Sequence, residues 1–296
     1  MITEQKMMLH VYHLTDSLLQ GRETGTPGGV VACTYLVDRF KEYGLHPLGT
    51  GNPKSHNHSY IQGFTCTENR RGRNVVGWIP ADTPASNEYL IISAHYDHLG
   101  VINGTLYPGA DSNASGVAVL LTLANALGKM KKEGAPITRN VVFVAYDAKE
   151  FSMTGAQIFA TLLKVPPAQI CLNMNLDQLG TTLAPPSNSE NYVLVLGADT
   201  LPPHILRSLN NSNAYYNTGL TIDYSFYNSP SFADIYFSMT EQSVLAQLKV
   251  PSLLITSGVH ENTYKPTDAP DILHPPLLKK RTEWLFFVLW DLVQRW

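Results

Sequence analysis

No stretch of the 296 residues is long and apolar enough to read as a transmembrane span. Met1 is followed by polar residues, so no signal peptide is visible at the start. An excess of one charge is also lacking. The 21 Lys and Arg against 24 Asp and Glu leave a formal charge of −3, which gives no reason to expect nucleic acid or an anionic membrane as partner. Cysteine is scarce: Cys33, Cys66 and Cys171 are widely spaced, make no CxxC zinc motif and allow at most one disulfide. There is no internal repeat, low-complexity tract or linker that would divide the chain.

What is present alternates between helix and strand patterns. Thr3 to Leu19 reads as an amphipathic helix, with Met7, Met8, Val11, Leu14 and Leu18 at helical spacing and His10 and His13 as surface members. GRETGTPGG, Gly21 to Gly29, is a loop. With no strand before it and no Lys-Ser/Thr pair after it, it does not fit a phosphate-binding loop. Val30 to Tyr43 is a second amphipathic helix, stopped by Gly44. His56 and His58 fall in a Gly-, Asn-, Pro- and Ser-rich stretch and read as solvated loop residues. Asn74 to Ile79 and Tyr89 to Ser93 are strands, and Arg70, Arg71 and Arg73 read as a solvated hairpin end. Asn140 to Tyr146, NVVFVAY, is almost all β-branched or aromatic, as expected of a strand covered on both faces. Ile170 to Leu176, Val193 to Leu196 and Ser252 to Thr256 are further strands; Ala114 to Leu127, Gly155 to Leu163 and Ile272 to Trp296 are helices. The aromatics between Tyr215 and Phe237 read as pocket lining or as buried packing. This alternation implies a single layered α/β domain over residues 1–296 with a largely parallel sheet.

Polar residues gather where the strands end: His95 and Asp97, Asp111-Ser112, Lys149-Glu150, Asp177, and His260 to Asp268. Open α/β sheets place their chemistry at such ends. Locally, a His and a carboxylate two residues apart read either as a metal ligand with its orienting partner or as incidental members of a surface loop. Order and spacing go further. The GRETGTPG loop, NVVGWIP, SAHYDHLG, GADSNASG, VVFVAYDAKEFSMTGA, NLDQLG and HENTYKPTD together resemble the co-catalytic zinc aminopeptidase family. That family includes secreted bacterial aminopeptidases, aminopeptidase Y, glutamate carboxypeptidase and the glutaminyl cyclases. The resemblance spans nearly the whole chain. It implies a twisted, mostly parallel sheet sandwiched between helices, two zinc ions bridged by an aspartate and a water, and a glutamate as general base. Paired metals lower the water's pKa and hold the scissile carbonyl while the base takes the proton. The family is often exported, so a periplasmic or extracellular location is implied as well.

Carried over position by position, the resemblance puts His95 at the first histidine ligand, Asp97 at its orienting carboxylate, Glu150 at the glutamate ligand and Asp177 at an aspartate ligand. Three of the six central positions differ. Ser112 stands at the bridging aspartate, with Asp111 one residue early. Lys149 stands at the general base. Tyr264 stands at the last histidine, with His260 nearby at another position. A serine hydroxyl is a poor bridge between two dications, and neutral tyrosine is not among zinc's usual ligands. A lysine ammonium beside Glu150 stays charged and cannot accept a proton. Two readings follow. One is a relative without zinc or catalysis that binds a peptide or protein in the old cleft. The other is a hydrolase working through a rearranged site, with Asp111 or His260 as substitute ligands. Without metal the clustered carboxylates repel each other, so Lys149 is expected to pair with Glu150 or Asp177.

Overall fold

Burial decides where each strand sits in the sheet. The computed structural model describes residues 2–50, 60–83, 86–186 and 189–294; His56 and His58 lie outside the described residues. The strands are β1 (His46–Pro47), β2 (Ile61–Thr65), β3 (Arg71–Ile79), β4 (Tyr89–His95), β5 (Gly100–Ile102), β6 (Thr105–Tyr107), β7 (Asn140–Tyr146), β8 (Ile170–Leu176), β9 (Tyr192–Leu196), β10 (Thr221–Asp223) and β11 (Ser252–Thr256). The α-helices are α1 (Glu4–Thr15), α2 (Pro27–Glu42), α3 (Gly116–Lys132), α4 (Thr154–Thr161), α5 (Pro203–Tyr215), α6 (Pro230–Ser238), α7 (Gln242–Gln247) and α8 (Pro275–Gln294). Every residue of β7 is buried, which an edge strand could not achieve. It lies inside a sheet of order β1-β3-β7-β4-β8-β11-β9-β10, with β2 pairing β3. The middle four strands, β7, β4, β8 and β11, run parallel; β1, β2 and β3 at one side and β9 beside β11 join antiparallel.

Both faces of the sheet are covered. One cluster packs Leu14, Leu36, Phe40, Leu120, Leu127, Trp284 and Leu289 from α1, α2, α3 and α8 on Ile92, Phe143 and Leu172. A second sets Ala156 and Phe159 of α4 and Leu245 of α7 on Ile91, Val142 and Val144. Alternate residues of β4 and β7 thus serve opposite clusters, and each buried Val, Leu, Ile or Phe contributes about 1.5–3 kcal/mol. The aromatic segment divides: Phe226 is fully buried and stacks on Tyr236, with centroids 5.1 Å apart, whereas Tyr215, Tyr216 and Phe232 are exposed. Tyr224 and Phe237 also line a cavity of about 840 Å³. All three cysteines are free. Among the described residues, no helix is long and apolar enough to cross a membrane.

Several boundaries differ from the sequence reading for local reasons. α1 stops at Thr15 because the Asp16 carboxylate accepts from Leu18 N at 2.9 Å and starts a tighter turn, leaving Leu18 81% exposed. α2 begins earlier, at Pro27, with Thr26 accepting from Gly29 N at 3.2 Å. α8 begins at Pro275, since the residue before a proline is held out of helical geometry. His10 is not a surface residue. It is buried between Tyr35 and Tyr43, with Nδ1 2.6 Å from one hydroxyl and Nε2 3.3 Å from the other.

Candidate active site

The parallel strands deliver their polar residues to one edge. His95 is the last residue of β4, Lys149 and Glu150 follow β7, Asp177 follows β8, and the loop from His260 to Asp268 follows β11. All lie at carboxyl ends, where parallel sheets leave a crevice. The connecting loops are sharply bent: Ala148, Ser152, Met153, Gln178 and Tyr264 all have φ between 51° and 61°. Residues held in this region mark loops whose surroundings over-determine them, a common feature of functional sites.

Lys149, Glu150 and Tyr264 meet. The Lys149 ammonium lies 3.3 Å from Glu150 Oε1, hydrogen-bonds the Tyr264 hydroxyl and sits 4.8 Å from that ring's centroid. The expected pairing is thus with Glu150. His95 Nε2 and Asp177 Oδ1 face each other at 3.4 Å, fully buried, without hydrogen-bond geometry. Asp97 does something other than expected. His95 Nδ1 is held by the backbone carbonyl of Asp97 at 3.0 Å, while the Asp97 carboxylate stands 3.8 Å off. That carboxylate instead accepts from Lys149 N at 3.0 Å and Glu150 N at 3.1 Å, so it fixes the loop that carries both.

Ser112 and Asp111 belong to a neighbouring network. Asp268 accepts from Asp111 N at 2.7 Å and Ser112 N at 3.0 Å, and the Ser112–Asn113 peptide is cis. The Asp111 carboxylate receives the Ser115 hydroxyl at 2.8 Å, Gly180 N at 2.6 Å and His260 Nε2 at 3.1 Å. Asp111 and His260 are therefore engaged with each other and with backbone, and among the described residues no hydrogen bond or ion pair joins either of them to His95, Glu150 or Asp177.

The groups of the cluster shift one another's protonation. Burial works against the charge on Lys149, but Glu150 and Asp177 hold its pKa well above the ordinary lysine value. Burial likewise opposes the His95 imidazolium, yet Glu241 and Asp177 outweigh it and push its pKa up to about 9. Burial raises Glu241, while His95 beside it keeps Asp177 below the usual carboxylate range despite its burial. Burial, then the neighbouring Asp147, push Asp97 up to about 7. Two basic groups, His95 and Lys149, thus stand among three acids, Asp177, Glu150 and Glu241, and the pKa values of His95 and Lys149 are raised by them.

Two further residues of the site escape pattern reading. Glu241 is fully buried, with Oε2 accepting from Asn175 at 2.9 Å, yet it is a lone acid in an irregular stretch of sequence. His98 is buried beside Glu150 and parallel to the Tyr264 ring, with centroids 6.0 Å apart. Its place directly after Asp97 was the available clue.

Two zinc ions do not fit this donor set. His95 and Asp177 would give one ion two protein ligands, where zinc takes three or four. On the other side Glu150 is engaged by an ammonium, which repels a cation, and Tyr264 donates no imidazole. Among the described residues no group of three or more His, Cys, Asp or Glu is arranged to hold a metal ion.

Comparison with known proteins agrees with the architecture. The profile of Peptidase family M28 matches residues 74–288. The chain is 28% identical over 172 residues to the alkaline phosphatase isozyme conversion protein of Escherichia coli, covering 54% of this chain and 47% of that protein. It is 27% identical over 137 residues to aminopeptidase YwaD of Bacillus subtilis, covering 46% and 27%. The matched stretches thus span about half or less of these relatives. Among solved structures, a zinc aminopeptidase from Bacillus subtilis superposes with a TM-score of 0.75 at 12% identity, covering 100% of this chain and 96% of that one. Porphyromonas gingivalis glutaminyl cyclase gives 0.74 at 15% identity, covering 99% of each. At such identities these likenesses speak for the fold alone.

Proposed function

The chain belongs to peptidase family M28, and from that premise we propose that it is a member that keeps the family fold without zinc-dependent hydrolysis and uses the former cleft to bind a peptide or protein segment. The observation that carries this reading is Lys149. Its ammonium stands at the general-base position, paired with Glu150 and hydrogen-bonded to Tyr264, the residue at the last histidine position. A cation there supplies locally the positive charge that a metal would bring, and it cannot take a proton from water while its pKa stays raised. His95 plays the matching part for Asp177. The engagement of Asp111 with His260, Ser115 and Gly180 speaks against their recruitment as substitute ligands. Val259 and Tyr264, on the loop after β11, are 41% and 44% exposed and offer apolar contact to such a segment.

The test is hydrolysis by purified protein of aminoacyl anilides and cyclisation of N-terminal glutaminyl peptides, each with added zinc and with chelator. We expect no turnover above background in any condition. Zinc-stimulated, chelator-sensitive turnover would overturn the proposal in favour of a rearranged but working site.

A further inference from the structure

A groove of about 710 Å³ opens on the face shared by α1, α2 and α3, and none of its lining residues belongs to the cluster at the strand ends. That volume is in the range of small-molecule sites. Gly128 of α3 touches the Tyr43 carbonyl so closely that a side chain there would collide with it, and the groove lies around this contact. Its floor is a fixed frame, in which His10 is bonded at both ring nitrogens to the hydroxyls of Tyr35 and Tyr43. Burial, with Arg39 nearby, lowers the His10 pKa to about 4, so the frame itself is neutral.

Cations dominate the groove's charge. Lys6, Arg39, Lys129, Lys131 and Lys132 line it, against Glu42 alone. Glu42 is matched by Arg39 at 2.6 Å, and Lys131 pairs with Asp82. Among the described residues no carboxylate lies within ion-pairing distance of Lys6, Lys129 or Lys132, and the buried Arg39 Nε has no hydrogen-bond acceptor. Lys129 and Lys132 stand in the last turn of α3, where cations complement the helix carbonyls. That account fails for Lys6, which stands in the first turn of α1, where a cation is disfavoured. Lys6 of α1 and Lys129 and Lys132 of α3 therefore bring unpaired positive charge to one groove in a chain whose formal charge is −3. Beside that charge, Ile2 and the 59% exposed Leu9 offer an apolar wall.

We propose that this groove binds a small organic anion, its acidic group received by the ammonium groups of Lys6 and Lys129 in the field of the Arg39 guanidinium, its apolar body lying against Ile2 and Leu9. The ligand class is set by the two surfaces together: a bare anion leaves the apolar wall unused, and a neutral apolar compound leaves the charges unused.

The experiment is a fluorescence titration with 8-anilinonaphthalene-1-sulfonate, beside its uncharged relative N-phenyl-1-naphthylamine. The wild-type chain should bind the sulfonate saturably, one per chain, and the neutral compound about tenfold more weakly. The triple variant Lys6→Gln/Lys129→Gln/Lys132→Gln alters only exposed side chains and should keep the wild-type melting curve. It should lose about tenfold in sulfonate affinity while binding the neutral compound unchanged. Arg39→Met should weaken the sulfonate as well. A control in which Lys249, Lys265 and Lys279 become Gln should match wild type. Equal loss in that control, equal affinity of the wild-type chain for both compounds, or no loss in the first triple variant would each overturn the proposal.

Discussion

Replacing Lys149 by methionine removes one charge and leaves most of the side chain's bulk in place, so its cost measures the ion pair. The Lys149 and Glu150 side chains are 8% and 14% exposed and their charges stand 3.3 Å apart. At an effective dielectric constant near 20 their attraction is about 5 kcal/mol. Part of this is offset by the desolvation of both groups, and breaking such a pair from one side costs about 3 kcal/mol, because the other charge is left buried alone. For a chain of this size that lowers the melting temperature by roughly 5 °C. The assay is thermal and urea unfolding at pH 7.5 and pH 5. The Lys149 pKa is raised, so its contribution is fully present below the ordinary lysine value of about 10.4 and fades only as pH rises through the folded-state value. At pH 7.5 the full effect is therefore measured. Adding Glu150→Gln should return part of the lost stability, since no orphaned charge remains. A single variant within about 0.5 kcal/mol of wild type, or a double variant worse than the sum of its parts, would refute the reasoning.

Three further outcomes follow from the same geometry. The triple change Ser112→Asp, Lys149→Glu, Tyr264→His restores bridge, base and second histidine together, so zinc should raise its melting temperature in a concentration-dependent way; calorimetry with and without zinc checks this. Asp111→Asn weakens the buried contact with His260 and the acceptor for Ser115 and Gly180, and should cost about 2–4 kcal/mol in urea unfolding whether or not zinc is present. The neutral, buried His10 has a folded-state pKa of about 4 against about 6.5 unfolded, so the unfolded chain binds more protons between these values. Stability should fall by about 3 kcal/mol from this group as pH drops from about 6.5 to about 4, and His10→Gln should lose that dependence in pH-resolved denaturation.

Much of the framework was legible because burial leaves a simple imprint. NVVFVAY could be placed as a central strand, and Ser252–Thr256 was bounded correctly, since unbroken apolar runs between breakers have few other fates. Motif order likewise places His95, Lys149, Glu150 and Asp177 at one edge of the sheet. What escaped was decided by contacts between distant segments. His10 lies three residues after Met7 and four before Leu14, on the buried face, and that spacing was readable; its polarity argued the other way until two tyrosines from α2 and its end satisfied it. The Asp97 carboxylate sits where an orienting partner belongs, yet loop geometry gives that task to its carbonyl. Glu241 reaches the cluster only through the packing of α7 beneath the sheet, which no periodicity encodes.

If protonated side chains stand in for the metals, the purified chain should be free of zinc, and its zinc content decides the matter. After dialysis against trace zinc, elemental analysis of the wild-type chain should find no stoichiometric metal, while the triple variant prepared alongside retains it. About one zinc or more per wild-type chain, removed by chelator with a fall in melting temperature, would contradict the account.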